Sequence, residues 1–156
     1  MQGIVEKIFV TAQGGAMMQP VEQVEAVVDG GLLGDRYQTR VGYYSGVDEC
    51  EVTLIEGEAL DDILRQTGIQ VAQGEHRRNI VTRGIRLHDL AGKTFIVGNA
   101  TLTYDRPRPP CHYVETITEP GMTRALADGR GGICVRVVKA GLIRTGDPIL
   151  VPEADF

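Results

Sequence analysis

The sequence predicts a mainly β fold, a β-barrel with a few short helices. Three observations lead there: roughly seven to nine short strand-like runs, glycine at the turn points between them, and no regular alternation of strand with helix. A parallel α/β sheet needs a helix between successive strands, whereas closely spaced strands joined by turns suit a barrel. The 20 glycines supply those turns, no internal repeat interrupts the pattern, and 156 residues with 42% hydrophobic side chains can bury a core as a single domain over 1–156.

The first strand is expected over residues 3–11, where Ile4, Ile8 and Val10 fall at even spacing around Glu6. Residues 13–20, with Gly14, Gly15 and Pro20, break it, and the valines at 21, 24, 27 and 28 suggest a second strand over 21–28. Gly30 to Tyr37 then makes either a tight corner or part of a site. The residues favour the corner, because GxGxxG spacing is absent and no Lys-Ser or Lys-Thr pair follows Gly34. Residues 40–49 read as a mobile polar loop and 51–55 as a short strand. The clearest helix is 56–67, where Ala59, Leu60, Ile63 and Leu64 recur at helical spacing, Asp61 and Asp62 face away, and Gly68 ends the last turn. Glu56 and Glu58 sit in its first turn, where the helix dipole favours negative charge.

Residues 75–82 form a charged turn feeding a strand. Consecutive arginines on an extended backbone point to opposite faces, so one of Arg77 and Arg78, not both, is expected to address a shared site, with Asn79 placed to fix a polar ligand edge. His76 reads as a surface residue, since no second histidine follows at i+2 or i+4. A hairpin is expected from 94–97 and 100–104, joined by Gly98-Asn99, a pair suited to primed turns. A short helix over 120–127, the permissive basic corner Arg130-Gly131-Gly132, an alternating run over 133–138 and a closing run over 147–151 complete the chain.

Net charge is −5, which argues against a nucleic-acid binder, but the charge is uneven. Acidic residues crowd the first 62 positions, and the balance reverses from Arg77 to Arg108. Most of the 16 basic residues are arginine, whose planar fork suits bidentate contact with phosphate or carboxylate, so the middle of the chain is expected to hold an anionic ligand. No secretory signal and no apolar run of membrane-spanning length is visible, pointing to a soluble cytoplasmic protein without nucleic-acid or membrane partners. Three cysteines, Cys50, Cys111 and Cys134, make an odd count without CxxC, so reduced thiols are expected.

The chemistry concentrates in Arg106-Pro-Arg-Pro-Pro-Cys-His112. Pro107, Pro109 and Pro110 stiffen this loop, and Arg106, Arg108 and His112 surround Cys111 with positive charge that lowers a thiol's pKa and favours the thiolate. Cys111 is thus either a nucleophile or soft metal ligand, or an incidental cysteine on a surface loop.

Gly34-Asp-Arg-Tyr37, Val52-Thr-Leu-Ile55, Arg77-Arg-Asn-Ile-Val81, Leu90-Ala-Gly92, Pro110-Cys111, the run from Gly129 to Val137, and Gly141 to Asp147 appear in an order that resembles the MOSC family, the C-terminal domain of molybdenum-cofactor sulfurases. The resemblance spans residues 3–151 and implies a closed β-barrel similar to that of pyruvate kinase. It implies molybdenum cofactor (molybdopterin) binding, with Cys111 as metal ligand and catalytic or sulfur-handling thiol, and a pterin-holding role for Arg77 with Asn79 nearby. The candidate cofactor-binding set is Asp35, Arg36, Arg77, Arg78, Asn79, Arg108, Arg130 and Gly131. The implied activity is reduction of an N-hydroxylated small molecule with electrons from a partner protein, because no flavin or iron-sulfur motif is present. At family level alone there is also an association with pyridoxal phosphate. Two features depart from the larger relatives: no separate N-terminal barrel precedes the match, and Glu58 stands where they carry serine. The alternatives are a persulfide sulfur carrier or cofactor-delivery protein without turnover, and a small-anion binding module with an inert cysteine. Exposed edge strands in a small barrel would also allow a homodimer.

Overall fold

Strand β1 (Gln2–Val10) is long enough to take different partners along its length, and the architecture is built around it. The computed structural model describes residues 2–39, 50–110 and 113–152. In chain order, β1 is followed by β2 (Gln19–Val21), β3 (Gln23–Val27), β4 (Gly31–Leu32), helix α1 (Arg36–Thr39), β5 (Val52–Glu56), α2 (Gly57–Thr67), β6 (Ile80–Arg83), β7 (Thr94–Val97), β8 (Ala100–Pro107), α3 (Tyr113–Ile117), α4 (Met122–Ala125), β9 (Ile133–Lys139), β10 (Gly141–Arg144) and β11 (Pro148–Leu150).

Seven strands close into a barrel in the order β1, β11, β7, β8, β9, β5, β6 and back to β1. The β5–β6 pair is parallel because α2 carries the chain across between them, while the other barrel pairs are antiparallel. Strand β2 extends the sheet beyond β1, and β10, β3 and β4 form a small second sheet. The expected mainly β, closed-barrel class is what the chain adopts.

The barrel interior is filled by Val5, Ile8, Leu54, Ile80, Phe95, Leu102 and Val135, all at most 1% exposed. A second apolar cluster lies outside the barrel wall, where Leu60 and Ile63 of α2 pack with Phe9, Ile55, Val81, Met122 and Leu126. Each fully buried side chain of this size contributes about 1.5–3 kcal/mol of transfer free energy. Helix α2 ends as its sequence requires: Gly68 is left-handed at φ 75° and its N–H donates to the Leu64 carbonyl at 2.9 Å.

Local details differ from expectation for identifiable reasons. In β1 the register against β6 shifts between Val5 and Lys7, and the extra residue inverts the pleat. Val5 therefore points inward beside Ile8, and Ile4 faces outward at 46% exposure. The strand expected over 21–28 is divided into β2 and β3, Leu64 is exposed on α2, and Val28 is exposed beyond β3. The Gly98-Asn99 hairpin forms with Val97 opposite Ala100, and the short helix expected over 120–127 is the single turn α4.

The expectation of reduced thiols is overturned for one pair, since Cys50 and Cys134 form a disulfide with Cα atoms 6.1 Å apart. They lie 84 residues apart in sequence, and the antiparallel pairing of β5 with β9 brings them together, which spacing in the chain could not reveal. The loop expected over 40–49, and Cys111 with His112, lie outside the described residues. Among the described residues no helix is long and apolar enough to cross a membrane.

Candidate functional site

The turn leading into β6 sets the geometry of the site. Arg77 donates its backbone N–H to the Gly74 carbonyl at 2.9 Å and adopts the left-handed conformation at φ 66°. For a residue other than glycine this costs about 1–2 kcal/mol, and it removes the extended geometry on which opposite-facing arginines depend. Arg77 and Arg78 consequently both line one cavity, contrary to the expectation that only one would.

His76, expected at the surface, is fully buried at the base of this turn. Its Nδ1 accepts the backbone N–H of Arg78 at 2.9 Å, which assigns the ring hydrogen to Nε2, and the ring packs edge-on against Phe9 with centroids 5.3 Å apart. Nε2 has no hydrogen-bond partner among the described residues. Burial first, then the nearby charges of Arg78, Lys7, Arg77 and Arg36, push the imidazole down to about 3, so it stays neutral near pH 7.

Arg78 crosses the site as a strut. Its Nε donates to the Gly131 carbonyl at 2.6 Å and its Nη2 to the Arg108 carbonyl at 2.9 Å, tying the β6 turn to the proline loop after β8. Arg108 in turn donates its backbone N–H to the Gly132 carbonyl at 2.9 Å. Glycine is needed at 131 because a Cβ there would strike the Arg108 carbonyl oxygen.

The corner ending in α1 supplies the opposite wall. Asp35 is fully buried and accepts from the Thr11 N–H at 3.1 Å, the Tyr37 N–H at 3.2 Å and Arg36 Nη1 at 3.1 Å. Arg36 then donates through Nη2 to the Arg77 carbonyl at 3.0 Å and to the Tyr37 hydroxyl at 3.1 Å, with its guanidinium 4.1 Å from the Tyr37 ring centre. The corner that the sequence favoured as structural is thus also part of the cavity.

That cavity has a volume of about 410 Å³ and gathers Arg36, Arg77, Arg78, Arg106 and Arg108 from three separate stretches of chain, together with Tyr37, Tyr113 and the prolines 107, 109 and 110. No acidic side chain is among its described lining residues. Arg36 and Arg106 are paired with Asp35 and Asp105. Burial first, and then the charge of Arg36, lowers the Arg77 guanidinium, which nonetheless remains a cation near neutral pH. For Tyr37, burial pulls the phenol upward, but Arg36, Arg108 and Arg78 together outweigh it and leave the group below its ordinary value.

Not every candidate residue reaches this wall. Asp35 stands behind Arg36. Asn79 is fully buried in the scaffold, where its Oδ1 accepts from the Thr53 N–H at 3.0 Å and its Nδ2 donates to the Phe9 carbonyl at 3.1 Å. Arg130 borders a different cavity beside α2 and donates to the Gln66 side chain at 3.3 Å. Gly131 acts through its backbone. Cys111 is outside the described residues, but the residues bracketing it and His112, Pro110 and Tyr113, both line the cavity. Tyr37, Tyr113 and the Gly14-Gly15 segment belong to the wall but were not among the candidates. Only Tyr37 carried a sequence signal, as the aromatic residue directly after Asp35-Arg36. No group of three His, Cys, Asp or Glu side chains able to hold a metal ion occurs among the described residues.

Comparison with curated proteins finds no match. Among solved structures, YuaD from Bacillus subtilis superposes with a TM-score of 0.80 at 17% identity, covering 99% of this chain and 98% of that one. YiiM from Geobacillus stearothermophilus gives 0.74 at 20% identity over 98% and 76% of the two chains, and YiiM from Escherichia coli gives 0.72 at 18% over 99% and 71%. At these identities the likenesses speak to the fold. The model of the MOSC domain matches residues 41–150, most of the sequence, and the chain belongs to the MOSC domain family.

Proposed function

We propose that the arginine-lined cavity holds the molybdenum cofactor, with Cys111 as metal ligand, and that the protein reduces N-hydroxylated small molecules with electrons from a partner protein. The observation that carries this reading is the convergence of five arginines on one cavity with no carboxylate among its described lining residues, closed by the residues that bracket Cys111 and His112. Membership of a family related to the molybdenum cofactor supports it.

The residues present fit such a group. A volume of about 410 Å³ lies within the range of small-molecule sites, roughly 300–1,000 Å³. The phosphate tail of a pterin cofactor calls for forked cationic donors, and Arg77, Arg78 and Arg108 would hold it. A cysteine thiolate is an appropriate soft donor to molybdenum, and the positive surroundings of the proline loop favour that ionised form. When bound, the cofactor would supply the redox-active metal at which an N–O bond is reduced. The chain's own residues orient the anionic tail, exclude part of the solvent and place a donor hydroxyl, that of Tyr37, in the wall.

Elemental analysis of protein purified from a molybdenum-replete host, with Cys111→Ser alongside, tests this reading. Stoichiometric molybdenum that is lost in the variant supports it. Cyanide-labile sulfur without metal would instead make the protein a persulfide carrier. Absence of both would leave a binding module for small anions.

A further inference from the structure

We propose that Tyr37 is the acid of the cationic cavity, delivering its phenolic proton to an oxygen atom of the ligand held among the arginines. Arg36 Nη2 donates to the Tyr37 oxygen at 3.1 Å and so occupies a lone pair. The phenolic hydrogen has no acceptor among the described residues, while the side chain forms part of the cavity wall. Buried Asp35 fixes the arrangement from behind by holding both the Arg36 guanidinium and the Tyr37 backbone N–H.

The groups around the phenol are arranged for proton release. Arg36 and Asp35 face it from the α1 corner, Arg77 and Arg78 from the turn before β6, and Arg106 and Arg108 from the end of β8, with Tyr113 of α3 across the cavity. Two carboxylates of the described residues accompany this set: Asp35 pairs with Arg36, and Asp105 with Arg106. Arg36, Arg108 and Arg78 stabilise a phenolate against the opposing effects of burial and Asp35, consistent with the downward displacement of this group. They also attract the anionic ligand, so proton release and anion binding are linked: a bound dianion offsets the cations and returns the proton affinity of Tyr37 toward normal.

This inference rests on the proposed reduction for its chemistry. Converting R–NHOH to R–NH2 and water consumes two electrons and two protons. The electrons come from the protein electron donor, and as the N–O bond breaks Tyr37 gives one proton to the departing hydroxyl oxygen. Solvent supplies the other proton to nitrogen and afterwards reprotonates the phenolate.

The test begins on the protein without cofactor. Absorbance at 295 nm followed against pH should show one of the five tyrosines ionising below the rest, a step missing in Tyr37→Phe. Saturating inorganic phosphate should raise that step by about one unit or more. In the loaded enzyme, Tyr37→Phe should lower kcat about 100-fold or more, with KM and molybdenum content little changed. Persistence of the early step in Tyr37→Phe, its indifference to phosphate, or an unchanged kcat would each overturn the proposal. If wild-type protein holds no molybdenum, the functional reading fails by itself, and the phosphate-linked titration still decides whether Tyr37 is the cavity's acid.

Discussion

Asp35 offers the sharpest test of how the cavity is built, because its carboxylate answers three donors at once and is wholly removed from water. Replacing it with asparagine keeps the shape and one acceptor oxygen, but removes the charge opposite Arg36 and turns an NH2 group toward N–H donors. Leaving a buried charge without its partner costs about 3–5 kcal/mol, and each stranded backbone N–H about 1–3 kcal/mol, with overlap between the two. The expected loss for Asp35→Asn is therefore about 3–5 kcal/mol. With an m-value of about 2 kcal/mol per molar urea, the unfolding midpoint should fall by roughly 1.5–2.5 M. Combining it with Arg36→Met removes the guanidinium that needs the carboxylate, and the double variant should recover about 2 kcal/mol relative to the sum of the single losses. A loss below about 1 kcal/mol for Asp35→Asn, or strict additivity in the double variant, would refute the reasoning, since the pair would then be indistinguishable from an exposed ion pair.

Three further outcomes follow from the same structure. His76 is held neutral with its pKa at about 3 against 6.5 in the unfolded chain, so the unfolded state takes up the proton first as pH falls below 6.5. Stability should then drop by about 1.4 kcal/mol per pH unit until the folded pKa is approached, and this component should vanish in His76→Gln when urea midpoints at pH 7.5 and 5.0 are compared. Gly132 has φ 89° and a Cβ there would meet the Leu54 carbonyl oxygen, so Gly132→Ala should cost more than about 3 kcal/mol in thermal or urea unfolding. Gly68→Ala, at φ 75° but in open space, should cost only about 1–2 kcal/mol, and equal losses at both sites would contradict the argument. The Cys50–Cys134 bond closes a span of 84 residues, for which chain entropy gives about 4–5 kcal/mol. Thiol titration in denaturant without reductant should find one free thiol, that of Cys111, and reductant should lower the urea midpoint. Three reactive thiols before reduction would rule the bond out.

Much of the fold was legible because strand period, turn chemistry and helix termination are local. The valines and isoleucines at period two, Gly98-Asn99 between two strands, and Ala59 to Leu64 ahead of Gly68 each express short-range stereochemistry that needs no partner to be read. Where the local pattern misled, an added residue or a sign of φ was responsible. The irregularity near Glu6 reversed the face of Ile4, and the left-handed turn at Arg77 put two adjacent arginines on one wall.

By itself the sequence determined that the chain is strand-rich, that positive charge gathers from Arg77 to Arg108, and that a stiff proline loop carries Cys111 among those cations. Only the tertiary structure decided which cations share a cavity. Arg78 is bound there by carbonyls 30 and 53 residues away, while Arg130 is drawn to Gln66 on α2. The physical reason is barrel closure: pairings such as β5 with β9 and β1 with β11 join distant stretches, and a guanidinium finds its partners only after those strands have met.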